Sequence, residues 1–409
     1  MVKFCKKTAL FMLSLLIVAF CVAPAYASDA SDTVKFFNDG GEHIICIAHR
    51  GDWHSFPENS VEAVKAASNY DVISVDVKLS SDGKPILMAD ETTDRMCVDF
   101  DGNLVSGSVS SFTLSQLGKL FLRQGNGGTD KVGTSCRIPE LSTAINAVAG
   151  KAALMLNVSE NDFNAVYEYV KSLGKLDETV FRIDAKSSRI IELTKDLDDV
   201  TVTGNYQGNI IFLATSAVKE CFENGISTIE MGSDNGHGVL YDNFLMKRFD
   251  GKKRAMASMV TGRCGKRDDN ETGWDDLISR GYSVIETDYP AELTRYIEKA
   301  ENATTELEKF VDLYSSTDLA PYTTETESDF TDALSGATAL LGTPASFTEV
   351  TNARHSLQHA YDSLTVGAKK SLTLKFNFTP GRIITVILCG AAFTAGTLYL
   401  ISKRKKSNG

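Results

Sequence analysis

The sequence predicts an α/β protein: a (β/α)8 barrel of TIM type, a small all-α helical module and one C-terminal transmembrane helix. Three observations predict it. Short apolar runs alternate with helical stretches over residues 44–300, residues 301–366 have helical periodicity with few strand formers, and residues 383–401 are apolar and uncharged. The 409 residues, 43% of them hydrophobic and 23% charged, are enough for two or three domains.

The N-terminus has the pattern of a secretory signal peptide over residues 1–27. Three lysines precede an apolar run, and Ala25-Tyr26-Ala27 forms a small-x-small cleavage site. We therefore expect cleavage after Ala27, and a short N-terminal lead at residues 28–43.

Nine short apolar runs are typical of strands, and helix-like segments such as 60–69 and 161–173 fall between most of them. Repeated strand–helix units imply a parallel sheet, and about eight units in roughly 250 residues fit a TIM-type barrel over residues 44–300. Nine runs are one too many, so one is wrong or accessory, and 210–214 is the weakest. Residues 101–138 form a long insertion after the third run. The nine runs are 44–48, 72–77, 85–89, 153–158, 179–184, 210–214, 226–231, 255–260 and 282–287.

Residues 301–366 predict a helical bundle that loosely resembles surface modules of the FIVAR type. The resemblance implies a role in spacing or adhesion. His355 and His359 lie four residues apart on one predicted helix, a spacing that can bind a metal ion. Because the sequence offers no evident third ligand, a solvated helix face is favoured over a metal site.

The segment after the bundle predicts a membrane anchor. A linker (367–382) leads to an apolar run (383–401) about long enough to span a bilayer, and the tail (402–409) carries four basic residues. The positive-inside rule places such a tail in the cytoplasm. Together with the signal peptide, this predicts a secreted protein anchored in the cell membrane, with the barrel and the helical module extracellular.

The charge and the cysteines argue against two kinds of site. A formal net charge of −11 disfavours nucleic acid as a partner. The cysteines between the predicted signal and anchor are odd in number and scattered, which fits neither a disulfide framework nor a zinc site. Either one disulfide forms or the thiols are buried and free. These cysteines are Cys46, Cys97, Cys136, Cys221 and Cys264.

Polar residues cluster where the predicted strands end, which is where TIM-type barrels hold their catalytic groups. His49 and Arg50 end the first strand, and Glu58 follows in the next loop. Asp76 lies in the second strand, and the third run ends at Ala89.

Four stretches in this order carry a resemblance to the glycerophosphodiester phosphodiesterases, running from about residue 44 to residue 298. Four separated motifs that keep their order and spacing form a specific signal. The stretches are HRGDWHSFPENSVEA, SVDVKLSSDGKPILMADETTDR, RIPEL and YSVIETDYP.

The resemblance implies a metal-dependent hydrolysis of glycerophosphodiesters to glycerol phosphate and an alcohol. Two histidines would act as general acid and base, an arginine would hold the phosphate, and carboxylates would bind Ca²⁺ or Mg²⁺. The chemistry is consistent, because hard cations prefer oxygen ligands and neutralise phosphate charge. Proton transfer at the leaving oxygen needs a group that titrates near neutral pH.

The resemblance assigns roles to four residues of this chain. His49 matches the first catalytic histidine, and Arg50 matches the arginine that binds the phosphate. Asp76 matches one metal carboxylate, and Glu58 matches the glutamate that lines the same pocket.

Three positions depart from the family pattern. Ser74 stands where a metal glutamate is expected, Asn157 where an acid is expected, and Ala89 where the second histidine is expected. A cation held by one carboxylate and neutral oxygens should bind weakly if at all. Alanine cannot move a proton, and losing one acid–base group costs about 10²–10⁴-fold in rate.

Neighbouring polar residues offer weak substitutes. We expect His54 at the surface of the first loop and Asp90 turned away from the site, whereas the reach of Glu91 cannot be judged from sequence. His43 and His237 have no motif around them, so we expect both to face solvent.

Three functions follow. The first is a membrane-anchored pseudoenzyme of the family that still binds a phosphodiester, such as a glycerophosphodiester, a lipid headgroup or a wall polymer. The second is an active phosphodiesterase with a rearranged site that uses His49 alone. The third is a surface adhesion or scaffold protein whose barrel is a rigid platform.

Overall fold

The computed structural model describes residues 29–41, 43–233, 243–249, 253–262, 264 and 267–367. The predicted signal peptide, the apolar run at 383–401, the basic tail and His237 lie outside these residues. Within the described ranges, no helix is both long and apolar enough to cross a membrane.

Eight parallel strands form a nearly closed barrel, which confirms the predicted α/β barrel class. Neighbouring strands around the barrel are, in order, β8 (Thr179–Asp184), β7 (Ala153–Ser159), β2 (Val72–Leu79), β1 (Ile45–His49), β12 (Tyr282–Thr287), β11 (Arg254–Ser258), β10 (Thr228–Gly232) and β9 (Gly204–Gln207). Phe181 of β8 forms two backbone hydrogen bonds with the residues that precede β9. Its N–H donates to Thr201 at 2.8 Å and its oxygen accepts from Thr203 at 3.0 Å, so the two ends of the sheet lie together.

Helices cover the outside of the barrel. In β2, Ile73, Val75 and Val77 pack outward in the main apolar cluster, so the alternating Ser74 and Asp76 face inward. The outer helices are α2 (Val61–Ala66), α4 (Leu141–Val148), α5 (Phe163–Ser172), α6 (Ser187–Thr194), α7 (Ile211–Glu223), α8 (Asn243–Met246), α9 (Glu271–Ser279) and the first half of α10 (Pro290–Ser315).

The N-terminal lead contains a helix, α1 (Ala30–Asp39), that closes the lower end of the barrel. Val34 and Phe37 of α1 are buried with barrel-interior residues such as Ile45 and Met155. The guanidinium of Arg254 donates at 2.7 Å to the backbone oxygen of Phe36 and caps the end of the helix. Because this end is apolar and plugged, polar chemistry is confined to the opposite, C-terminal end of the strands.

The third predicted run is not a barrel strand. Residues Pro85–Leu87 form β3, which pairs antiparallel with β2 after a tight turn closed by the Ser80–Lys84 and Gly83–Ser80 backbone hydrogen bonds. The run 85–89 is therefore an accessory strand. Ala89 follows β3 and lies in the connection to β7, rather than at the end of a barrel strand.

The predicted strand at 210–214 is wrong, because these residues form the start of α7. The barrel strand in this part of the chain is β9, whose sequence GNYQ is too polar to stand out as an apolar run. The apolar residues at the start of α7 are exposed instead: Ile210, Ile211, Phe212 and Leu213.

The connection between β3 and β7 is a small subdomain. It has its own apolar cluster, which includes Met96, Leu122 and Ile138. The predicted insertion at 101–138 covers most of it. Its elements are β4 (Cys97–Val98), α3 (Leu114–Leu117), β5 (Phe121–Arg123) and β6 (Gly133–Arg137), and the three strands are antiparallel.

The helical module consists of the second half of α10 with α11 (Thr324–Leu340) and α12 (Phe347–Asp362). Leu307, Phe330 and Leu357 are buried in its core. Helix α10 is continuous across the predicted domain boundary after residue 300. The resemblance of the module to the FIVAR type stays a prediction.

All five cysteines of the described region are buried and free. Of the two alternatives that the sequence left open, the structure therefore has free thiols, with no disulfide among these five residues.

Candidate active site

His49 lies at the C-terminal end of β1 and is paired with a carboxylate from the neighbouring strand. Its Nδ1 is 2.8 Å from Oδ1 of Asp288, which directly follows β12. Trp53 donates its indole N–H to the same oxygen at 2.7 Å. Burial lowers the pKa of His49, but the hydrogen bond to Asp288 and the nearby charge of Glu286 outweigh burial and raise it. These contacts therefore favour the protonated ring more than water does for a free imidazole.

Arg50 is held in an uncommon backbone conformation. Its φ is 57°, and that of Gly51 is 79°. A Cβ on Gly51 would lie 2.6 Å from the backbone carbon of Ala63, so glycine is required for the turn to pack against α2. This turn brings Arg50 Nη1 to 3.0 Å from Glu58 and Arg50 Nε to 2.8 Å from Asp76.

Glu58 is buried and binds two arginines. Arg50 contacts Oε2, and Arg95 donates to Oε1 at 2.6 Å. Arg95 also binds both oxygens of Asp90, at 2.7 and 2.9 Å. Asp90 is therefore occupied and does not replace the histidine that is missing at the adjacent Ala89.

Asp76 has hydrogen-bond donors on both carboxylate oxygens. Asn157 donates to Oδ1 at 3.1 Å, and Asn59 donates to Oδ2 at 3.0 Å. Burial raises the pKa of Asp76, but the charge of Arg50 and the two amides outweigh burial and lower it. The carboxylate is thus ionised, and protein groups surround it.

These residues do not fit a divalent cation. Ca²⁺ takes six to eight oxygen ligands and Mg²⁺ takes six, and both need carboxylate oxygens that are free to face the ion. Here Asp76 is occupied by amides and by Arg50, and Ser74 binds Glu286 at 2.6 Å instead of facing an ion. In the part of the chain that the structure describes, no group of three or more His, Cys, Asp or Glu residues is placed to hold a metal.

A buried ionic network lies beside this site in the barrel interior. Arg182 of β8 donates to Glu286 of β12 at 2.9 Å and to Glu230 of β10 at 2.6 Å. Ser74 and Ser258 donate to the two oxygens of Glu286. Burial raises the pKa of Glu286, but Arg182 and the nearby His49 outweigh burial and bring it to about 2.

Four candidate residues were predicted from the sequence: His49, Arg50, Glu58 and Asp76. In the structure Arg50 contacts both Glu58 and Asp76. The sequence motifs assigned no role to five further residues in and beside the site, although two of them, Glu286 and Asp288, lie in the YSVIETDYP stretch. The five are Trp53, Arg95, Arg182, Glu286 and Asp288. One signal was present: a charged residue in the middle of an apolar strand, as in TVFRID and YSVIET, requires a buried partner.

The other polar residues that the sequence brought into question lie at or near the surface, and each has a neighbouring partner. His54 is exposed, as expected, and stacks on Trp53 with ring centroids 3.9 Å apart. Glu91 is paired with Lys78. His43 is only partly exposed, where full solvent exposure was expected, because its ring nitrogens lie 3.3 Å from Asp71 and 3.7 Å from Glu301.

His355 and His359 line a shallow cleft of about 570 Å³ in the helical module, together with Asp329. The cleft lies between α11 and α12, away from the barrel mouth. The described residues around these two histidines do not form a group of three or more His, Cys, Asp or Glu side chains that could hold a metal ion.

The fold and this site define a TIM-type barrel with a histidine–carboxylate pair and an arginine–carboxylate cluster at its C-terminal end. Residues 49–222 match the model of the "Glycerophosphoryl diester phosphodiesterase family". The match spans less than half of the 409 residues, and over these residues the barrel is similar to that family.

Similar proteins agree with this assignment. The chain is 37% identical over 81 residues to glycerophosphodiester phosphodiesterase 1 of Rattus norvegicus, and 41% identical over 78 residues to a glycerophosphodiester phosphodiesterase of Caldanaerobacter subterraneus subsp. tengcongensis. Each match covers 19% of this chain, but only 23% and 30% of the two relatives, so it spans less than a third of their length.

A crystal structure of a glycerophosphoryl diester phosphodiesterase from Parabacteroides distasonis has the same barrel fold. It superposes with a TM-score of 0.50 at 19% identity, covering 66% of this chain and 91% of that chain. At this identity, the likeness concerns the fold alone.

Proposed function

We propose that the barrel binds a phosphodiester of glycerol at the C-terminal end of β1, and that its hydrolytic activity is weakened or lost. One observation carries the binding. Within the described residues, Nε2 of His49 and Nη2 of Arg50 form no hydrogen bond, because the partners of these side chains are on other nitrogens. Arg50 thus keeps a donor for phosphate oxygens, and His49 adds a second donor when its ring is protonated.

The same site supports the proposed loss of catalysis. Hydrolysis needs proton transfer to the leaving oxygen, and Ala89 supplies no group for it. Neither adjacent acid substitutes, since Asp90 is bound by Arg95 and Glu91 by Lys78. The carboxylates that would hold a metal are reduced to Asp76, which is already occupied.

The location that we propose for the protein limits the phosphodiesters it could meet. The signal peptide and the apolar run at 383–401 support a membrane-anchored protein whose barrel and module are extracellular and whose tail is cytoplasmic. Phosphodiesters in that space are lipid headgroups, released glycerophosphodiesters and wall polymers.

One observation favours a second function, slow hydrolysis with His49 as the single acid–base residue. The His49–Asp288 contact of 2.8 Å is the kind of pair that fixes an imidazole for proton transfer. The scaffold function has no contact of this kind in its favour.

Binding and turnover of glycerophosphocholine and glycerophosphoglycerol by the purified full-length protein test these functions. We expect measurable binding by calorimetry, weakened about tenfold or more by His49→Gln and by Arg50→Gln, since each removes a charged donor. His355→Ala, at an exposed histidine of the module, is the matched control and should leave binding unchanged.

Product release over long incubation separates the alternatives. No turnover supports the binding function, and gain of turnover in Ser74→Glu with Ala89→His would assign the loss to those two positions. Turnover by the native protein that His49→Ala abolishes would instead establish the one-histidine hydrolase. Absence of binding to either compound would overturn the proposal.

A further inference from the structure

One row of side chains crosses three neighbouring barrel strands. Asp76 of β2 is in register with Asn157 of β7, and Asn157 is in register with Arg182 of β8. Residues in one row of a parallel sheet project to the same face. Arg182 therefore enters the barrel interior at the level of the positions where the family resemblance places metal carboxylates.

Arg182 is the counter-ion of two buried carboxylates. It donates from Nε to Glu230 at 2.6 Å and from Nη1 to Glu286 at 2.9 Å. Both glutamates are almost fully buried. Glu286 in turn accepts from Ser74, so a carboxylate from β12 lies where a longer acidic side chain on β2 would otherwise reach.

Asp76 is balanced in the same way by Arg50, whose Nε lies 2.8 Å away. The three interior carboxylates at this level thus have guanidinium groups as counter-charges. A divalent cation would have to displace a guanidinium or the amides on Asp76 before it could collect enough oxygen ligands. Metal binding at this level of the barrel is therefore disfavoured, because the carboxylates already contact arginines.

We infer that Arg182, together with Arg50, takes the place of the divalent cation, so that the charge balance of the barrel and its anion site are independent of metal. Arg182 acts here as a positioning residue: it fixes Glu286 and thereby Ser74, without contacting the ligand. The ligand part of this inference rests on the proposed function, whereas the charge-balance part does not.

The first test uses the full-length native protein freed of metal with chelator. Added CaCl₂ or MgCl₂ alone should give no saturable heat and should shift the unfolding temperature by less than about 1 °C. Affinity for glycerophosphocholine should agree within about twofold with and without chelator. A saturable cation site, or a tenfold loss of affinity in chelator, would overturn the inference.

The second test removes the charge of Arg182. Arg182→Gln leaves Glu230 and Glu286 without a counter-ion, so we expect a lower unfolding temperature in chelator and partial recovery in millimolar Ca²⁺ or Mg²⁺. Arg182→Lys keeps the charge and should show no recovery by cations. If Arg182→Gln does not fold in chelator, its refolding in Ca²⁺ compared with chelator measures the same property.

Arg189→Gln is the matched control. Arg189 also bridges two glutamates, Glu160 at 3.2 Å and Glu192 at 2.7 Å, but these side chains are exposed. It should not become responsive to cations. If Arg182→Gln responds no more than Arg189→Gln, Arg182 is an ordinary structural ion pair and the inference fails.

The two proposals fail separately. Absence of phosphodiester binding in every buffer, with an unfolding temperature insensitive to cations, would overturn the proposed function and leave the charge-balance inference standing. Phosphodiester binding that requires a cation would overturn the charge-balance inference and leave the proposed function standing.

Discussion

His49 is a partly buried imidazole whose positive charge is favoured by two neighbouring carboxylates. Burial disfavours the imidazolium, whereas the Asp288 hydrogen bond and the Glu286 charge favour it and raise the pKa of His49. Burial also raises the pKa of Asp288, but the contact with His49 outweighs this and lowers it. The stability that His49 contributes is full below its unfolded pKa of about 6.5 and is lost as pH rises through its folded pKa. The contribution of Asp288 is lost as pH falls.

Asp288→Asn tests whether this charge serves anion binding. The amide removes the main favourable partner of the imidazolium, so His49 should be neutral in more molecules at pH 7. We expect glycerophosphocholine to bind roughly 3–10-fold more weakly at pH 7.5, with the difference shrinking towards pH 5, where both proteins carry a charged His49. Calorimetry across this range measures it, with exposed Asp130→Asn as control. A loss of affinity that is the same at every pH would show that Asp288 acts by shape rather than by charge.

Gly51 sets the turn that presents Arg50. Alanine there would combine a φ of 79° with a Cβ only 2.6 Å from backbone atoms of α2 that cannot rotate away. We expect Gly51→Ala to lower the free energy of unfolding by about 2–4 kcal/mol. Gly83 has a similar φ of 69° but open space around it, so Gly83→Ala should cost only about 1 kcal/mol. Equal losses in urea denaturation would mean that the packing against Ala63 is unimportant.

At the scale of the element, apolar runs predicted most barrel strands. Two runs failed as predictions of barrel strands, because an apolar run shows neither which strands pair nor whether the segment is helical. The run at 85–89 is a strand, but the Asp82-Gly83 turn before it folds it back on β2, as such dipeptides commonly do. The run at 210–214 is helical, and its apolar side chains are exposed. Strand β9 has the polar sequence GNYQ, in which Gln207 donates to Asn205, so no apolar run marks it.

Part of the candidate site could likewise be predicted from the sequence and part could not. The motifs around His49, Arg50 and Asp76 were predictable, because they lie at strand ends that a barrel brings together. Their partners were not, since Arg95 and Asp288 are distant in sequence, and only the fold shows which charges meet. The same holds for the Arg182 network, which joins β8, β10 and β12.

His43 connects three elements at the edge of the barrel. Its ring binds Asp71 before β2 and Glu301 in α10. Burial lowers the pKa of His43, but the two carboxylates outweigh it and raise the pKa to about 9. This stabilisation is present below the unfolded pKa of about 6.5 and is lost as pH rises through about 9.

His43→Gln should therefore destabilise the protein by about 1–2 kcal/mol at pH 6 and by much less at pH 10. Thermal unfolding at both values measures the difference, and His355→Gln is the control at an exposed site. A destabilisation that grows with pH would contradict the assignment of a charged His43 in the folded protein.

In the whole molecule, one helix links the barrel to the module. The first half of α10 buries Leu293 and Ile297 in the barrel core, and the second half buries Leu307 in the module core. Tyr296 of α10 ties the two together, since its hydroxyl donates to Asp275 at 2.7 Å and accepts from the N–H of Phe347 at 3.1 Å. Unfolding the module would thus expose part of the barrel.

This continuity predicts that barrel and module unfold in a single calorimetric transition. Thr304 lies between the two halves of α10, and its hydroxyl bonds to Ala300 at 3.0 Å. Proline at this position removes a helix hydrogen bond and clashes with the preceding turn, at a cost of about 3 kcal/mol or more, so Thr304→Pro should split the transition in two. Thr324→Pro is the matched control, because the first residue of α11 tolerates proline and the single transition should persist. Two transitions in the native protein would mean that the helix is continuous without coupling the units, and an undivided transition in Thr304→Pro would assign the coupling to the Tyr296 contacts instead.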